Sequence, residues 1–204
     1  MLLNTSNSPN TTLSARITGA LTIAGGAAFA ALAALEITHP HIHAIAVKTP
    51  AEHAILALFA AGMLLIAPAF FSLAEFGSRV APAKAAASGL VLLAIGSTYA
   101  NVRGGDPGWF NALAGVTNLL WLGCSIWLAF NLYRNSNLHK AIPLMLPISW
   151  ATTIVGARIG GGAVSGLYWV VVGVTLVSMG RTIRTFRAPW ALLILCALVL
   201  GGLA

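Results

Sequence analysis

The sequence predicts an all-α protein: a polytopic membrane helix bundle of seven transmembrane helices, with the N-terminus inside and the C-terminus outside. Three observations predict it. Of the 204 residues 58% are hydrophobic and only 7% charged, with mean hydropathy +0.89. A soluble globular domain carries roughly 25% charged residues, so this chain could not solvate a soluble surface of its size. The apolar residues also fall into runs close to the roughly 20 that a helix needs to cross hydrocarbon. Finally, the basic residues sit singly in short segments between those runs and are unevenly shared between the two sides.

The chain divides into a flexible cytoplasmic tail, residues 1–15, and one helical domain, residues 16–204. The tail is polar and rich in Asn, Ser and Thr. The first span, about 17–37, is too long for the apolar region of a signal sequence. Its Gly19, Gly26, Ala30 and Ala33 recur at helical spacing, giving a small face that permits close packing in lipid. Pro40 stops it. The second span, about 51–74, opens on Thr49-Pro50-Ala51-Glu52, which suits a capping box with proline at the first helical position. Pro68 lies within it and Gly77 is its stop.

The third span, about 81–100, runs into Asn101, Arg103 and the turn Gly104-Gly105-Asp106-Pro107-Gly108. The fourth, about 109–132, carries Trp109, Trp121 and Trp127. The fifth, about 141–158, contains Pro143 and Pro147 and is expected to bend. Gly160-Gly161-Gly162 separates it from the sixth, about 163–179. The seventh, about 188–204, ends with the chain. Trp109, Trp169 and Trp190 fall near span ends and read as interface anchors, whereas Trp121 and Trp150 lie deeper.

With the N-terminus inside, the inner segments hold Arg16, Arg79, Lys84, Arg134, Lys140, Arg181, Arg184 and Arg187. The outer ones hold Lys48, Arg103 and Arg158. Eight against three follows the positive-inside trend. The net charge of +7 therefore encodes orientation, and no nucleic-acid partner is expected. Cys124 and Cys196 lie in apolar runs without metal or redox spacing, so they read as small apolar residues.

This topology gathers the proton-active groups on one side. Glu36, Glu52, Asp106, His39, His41, His43 and His53 all fall on the outer face, joined by Tyr99, Asn101, Arg103, Arg158 and Tyr168. Glu36, in the last turn of the first span, is costly there unless paired, protonated or wetted. It is the candidate general acid or base, with His53 as its partner. Pairing with Arg103, Arg158 or a histidine is the structural alternative. His39, His41 and His43 alternate around Pro40, but without supporting spacing the segment reads as a polar connector, and no metal or other cofactor is expected. Glu52 reads as a cap. Arg103 and Arg158 suit the anionic head of an amphiphile. Asn118, Trp121, Trp150 and Tyr99 are candidate walls of a substrate cavity, with Asn101 and Tyr168 at its polar rim. No P-loop, dinucleotide-binding, GxSxG or HExxH motif occurs.

A retinal protein is excluded, because residues 188–204 contain no lysine for a Schiff base. Zinc-dependent seven-helix hydrolases place His and Asp clusters within their helices, whereas these histidines gather in one loop region. In size, helix number and use of acidic residues the chain is similar in outline to the small membrane-bound terpene cyclases, without their motifs. The expected function is a small membrane-embedded enzyme doing acid–base chemistry, of cyclisation or isomerisation type, on a lipophilic substrate in the outer half. A transporter or channel, which needs polar groups along a whole path, and a non-catalytic membrane subunit are the alternatives. The expected partners are the lipid bilayer and a lipophilic or amphiphilic small molecule, and the expected location is the cell membrane.

Overall fold

The computed structural model describes residues 15–39, 47–77, 80–105, 107–156 and 159–179. These form six helices: α1 (Ala15–Thr38), α2 (Pro50–Gly77), α3 (Val80–Arg103), α4 (Phe110–Asn135), α5 (Ala141–Ile154) and α6 (Gly161–Met179). All but α5 are long and apolar enough to cross a membrane. The protein is a helical membrane bundle. The expected seventh span lies outside the described residues.

The fifth predicted span is corrected. Residues 141–158 were expected to cross, but α5 has only 14 residues, about 21 Å at 1.5 Å per residue. Its last turn gives way where the N–H groups of Val155 and Gly156 both donate to the Ala151 carbonyl. Gly160 follows at φ +76°, and Gly161 N–H bonds back to the Gly156 carbonyl at 2.8 Å. Glycine is the one residue that adopts a positive φ without steric cost, so this run turns the chain before α5 reaches the length of its neighbours.

Each helix packs on the next in sequence, α6 returns to α1, and α2 also touches α4 and α6. The result is a closed ring with α2 pressed inwards. Met63, Ile66, Ala69, Phe70 and Leu73 of α2 are buried in the core. The outward residues of α4, among them Leu119, Ile126, Trp127 and Phe130, are exposed and apolar, as a lipid-facing surface requires.

The ring closes through the small face expected in α1. A Cβ added at Gly26 would fall 2.5 Å from the Gly166 carbonyl oxygen, and one at Gly166 would fall 2.5 Å from that of Gly26. Gly19 and Gly173 face each other in the same way, and Gly162 meets Ala33. Two helices approach backbone to backbone only where neither carries side-chain volume, which is how small residues drive association in lipid.

Candidate functional site

Glu36, Thr49, His53, Asn101, Arg103 and Trp109 lie at or near the helix ends on one side of the ring, here termed the histidine end. The start of α2 is built as its sequence demands. Glu52 Oε2 accepts the Lys48 and Thr49 backbone N–H groups, each at 2.7 Å, and Glu52 N–H donates to Thr49 Oγ1 at 3.3 Å. This is the expected capping box, and the carboxylate is committed to it. Beside it, Val47 N–H donates to the Gly104 carbonyl at 3.0 Å, tying the entry to α2 onto the turn after α3. Gly104 holds φ +75°.

These contacts fix the backbone of His53, and Asn101 fixes its ring. His53 Nδ1 lies 2.6 Å from Asn101 Oδ1, while the Asn101 amide nitrogen donates to the His53 carbonyl at 3.4 Å. An amide oxygen only accepts, so with the amide so oriented Nδ1 is the donor, and in the neutral ring Nε2 carries the lone pair. Asn101 is 1% exposed, whereas His53 is exposed. Asn101, expected at the rim as a substrate contact, is thus the residue that orients the histidine.

Glu36 is half-buried. Its Oε2 is buried and has no hydrogen-bond partner among the described residues. Its place follows from helical spacing. Gly25 and Phe29 face α2: a Cβ at Gly25 would touch Ile66, and Phe29 packs on Gly62. Leu32 and Glu36 continue that stripe at seven and eleven residues from Gly25. Eleven residues back along α2 from Leu64, which lies in the stretch facing Gly25, is His53, so Glu36 and His53 stand at about the same depth.

They do not stand face to face. His53 is nine residues, or about two and a half turns, from Gly62. Gly62 faces α1, so His53 points away from α1 and towards α3, as its bond to Asn101 requires. The first turn of α2 therefore separates the two groups, and the direct Glu36–His53 partnership expected from sequence is not formed. Adjacency in a polar cluster was readable from topology, but the side of a helix on which each residue lands was not.

Other expected members disperse. Tyr168 was expected at this end. Its hydroxyl instead donates to the Ile142 carbonyl at 3.1 Å, in the first turn of α5, towards the opposite end. Asn118 Oδ1 accepts from Trp150 Nε1 at 3.1 Å and its amide donates to the Ala114 carbonyl at 2.8 Å, so this pair cross-links α4 and α5. The Tyr99 ring packs on that of Trp109 at a tilt of 44°, with centroids 5.5 Å apart. Both rings are about half exposed, which places them on the rim. Arg103 is exposed at the end of α3. Trp121 is fully buried.

Arg158, Asp106, His41 and His43 lie outside the described residues. His39 is exposed, with Nδ1 2.9 Å from Thr38 Oγ1. Among the described residues no group of three His, Cys, Asp or Glu side chains could hold a metal ion. Trp169 corrects a further expectation. It is no interface anchor but is fully buried, with its ring 5.4 Å from that of Phe70. Residues that sequence reasoning passed over are Ser125 and Ser165, each four positions from a buried tryptophan on the same helix.

Comparison of the chain with protein-family models, with curated proteins and with solved structures gave no match.

Proposed function

We propose that the protein is a membrane-embedded cyclase acting on an unsaturated lipophilic substrate at the histidine end. The observation that carries this reading is the pairing of chemistries at one depth: a half-buried carboxyl at Glu36 whose buried Oε2 has no partner among the described residues, and an imidazole at His53 whose Nδ1, not Nε2, is engaged by Asn101. A half-buried carboxyl without a partner charge is most cheaply kept neutral, which is the form a proton donor needs. Separation of acid from base by about one helix diameter, ~10 Å, suits cyclisation better than a local double-bond shift. In cyclisation the proton enters at one end of the substrate and leaves at the other.

Glu36 gives its proton to a carbon–carbon double bond, and the resulting cation closes on a second double bond to form the new carbon–carbon bond. His53 Nε2 then takes a proton from the carbon next to the final cation, forming a double bond. The imidazolium and carboxylate exchange that proton through water, so substrate and product are isomers and no oxidant is consumed. Arg103 and Arg158 hold an anionic or polar head at the membrane surface. In this reading the chain makes seven spans in the cell membrane with the N-terminus inside, and the histidine end faces outwards.

The test uses the full chain in lipid nanodiscs, short acyclic polyprenols as the probe, and deuterated water. The expected product is cyclic and carries one deuterium. It disappears with Glu36→Gln and falls at least tenfold with His53→Gln, in line with loss of an acid–base group. A Glu36→Gln protein that turns over normally, or a wild-type protein that gives no cyclic product, overturns the reading.

A further inference from the structure

The end of the bundle opposite the histidines gathers cations. Among the described residues Arg16, Lys84, Arg134 and Lys140 stand there, with Glu75 as the carboxylate. The balance is most one-sided at the corner where α4 passes into α5. No Asp or Glu occurs anywhere after Asp106, so neither helix that meets at this corner can neutralise Arg134 or Lys140 from its own sequence.

The two cations are built into the corner. The Arg134 guanidinium carbon lies 4.4 Å from the centroid of the Phe130 ring, and Lys140 Nζ lies 4.9 Å from that of Tyr133. Phe130 and Tyr133 are three residues apart on α4 and so are neighbours on its surface, which sets the two cations side by side. Lys140 Nζ also donates to the Tyr133 carbonyl. The link between the helices is held as well. Ser136 N–H and Oγ both donate to the Leu132 carbonyl, at 3.0 and 2.6 Å, and Leu138 is buried.

Below the cations the two helices repeat one pattern. On α4, Phe130 and Ile126 lie four and eight residues from Arg134, towards the centre of the bundle. On α5, Leu144 and Ile148 lie four and eight residues from Lys140, in the same direction. All four side chains are exposed and apolar. Each cation therefore heads a strip of apolar surface two turns long that leads into the hydrocarbon.

We propose that this corner is a docking surface for an anionic phospholipid, with the headgroup phosphate beside Arg134 and Lys140 and the acyl chains along the two apolar strips. Arg134 presents a fork of N–H donors, Lys140 keeps the ammonium N–H groups not given to Tyr133, and a phosphate accepts from both. The apolar strips alone would take any lipid; the charge selects. The ammonium of a zwitterionic headgroup would find no carboxylate on α4 or α5 and would meet Arg134 and Lys140 as like charges. One face of each exposed ring, where a choline group would otherwise settle, already carries a cation of the chain itself. Basic clusters between membrane helices hold anionic headgroups in this way. The surface lies at the far end from Glu36 and does not depend on the chemistry proposed there.

The test places the full chain in micelles holding equal amounts of dioleoylphosphatidylglycerol and dioleoylphosphatidylcholine, and native mass spectrometry weighs the lipids it retains. Phosphatidylglycerol is expected to be retained in preference. Arg134→Gln and Lys140→Gln, both at exposed positions, are each expected to lower that preference about fivefold, and Lys140→Arg to keep it. Arg16→Gln removes as much charge from the same end and is expected to leave the preference unchanged. Equal retention of the two lipids overturns the proposal. So does an equal loss with Arg16→Gln, which would mean that the whole end attracts anions without a site. Glycerophosphoglycerol, the same headgroup without chains, is expected not to compete at the concentration of the lipid. Displacement by it would make the corner a site for soluble anions and overturn the docking surface.

Discussion

The seam between α1 and α6 and the seam between α4 and α5 solve one problem by opposite means. The first is built on glycines, flanked by the side chains of Ile23, Ala30, Val170 and Val177. Gly26 and Gly166 bring carbonyls and Cα atoms of two helices into contact, and Gly19 with Gly173 repeats this two turns away. The second is bridged by long side chains, with Trp150 donating to Asn118. In lipid neither seam gains from expelling water, so packing and hydrogen bonds must supply the association. Where the nearest atom is a backbone oxygen it cannot move aside without the helix, whereas a bridged seam can relax around a lost bond. Tolerance to mutation should therefore differ sharply between them.

The largest effect is expected from Gly26→Ala. Its Cβ would lie 2.5 Å from a backbone oxygen, so the helices must part, at ~3 kcal/mol or more. Reversible unfolding in mixed micelles would measure this. Gly166→Ala should cost about as much, and the double variant less than the sum, because one separation relieves both clashes. Additive costs would mean that the two glycines do not share a contact.

Next comes Asn101→Leu, which strips a buried amide from His53. A loss of ~1–3 kcal/mol is expected, together with a change in the protonated nitrogen of the His53 ring, read by ¹⁵N spectroscopy of the imidazole. An unchanged ring signal would show that Asn101 does not set the tautomer. Asn118→Leu should cost less, ~0.6 kcal/mol, the average for a hydrogen bond between membrane helices; a loss as large as that of Gly26→Ala would break the contrast drawn between the seams. The smallest effect belongs to Gly123→Ala. Gly123 is exposed on α4 and nothing lies within 4 Å of its added Cβ, so a change within ~0.5 kcal/mol is expected.

The small face of α1 was legible because Gly19, Gly26, Ala30 and Ala33 share a helical period, and that period survives in the structure as the contact with α6. The capping box at Thr49–Glu52 was legible for a similar reason: its bonds are local and need only four residues. The candidate site was legible only as a list of residues at one end. Asn101 and Tyr99 are two positions apart, yet one is buried against His53 and the other lies on the rim beside Trp109. Tyr168 and Trp169 are neighbours whose polar atoms meet different fates, one bonded to Ile142 and the other without a partner among the described residues.

The sequence by itself determined that this chain lives in a bilayer as a bundle of helices, since scarcity of charge and length of apolar runs are properties of the string of residues. It also determined where most helices start and stop, because caps, prolines and glycine turns act on their immediate neighbours. Only the tertiary structure decided that α1 closes on α6, that His53 turns to Asn101 rather than to Glu36, and that Trp169 is buried against Phe70. In lipid almost every outward and inward position is apolar, so periodicity alone does not say which face meets which helix; that is settled by the fit of small residues and hydrogen bonds across distant segments.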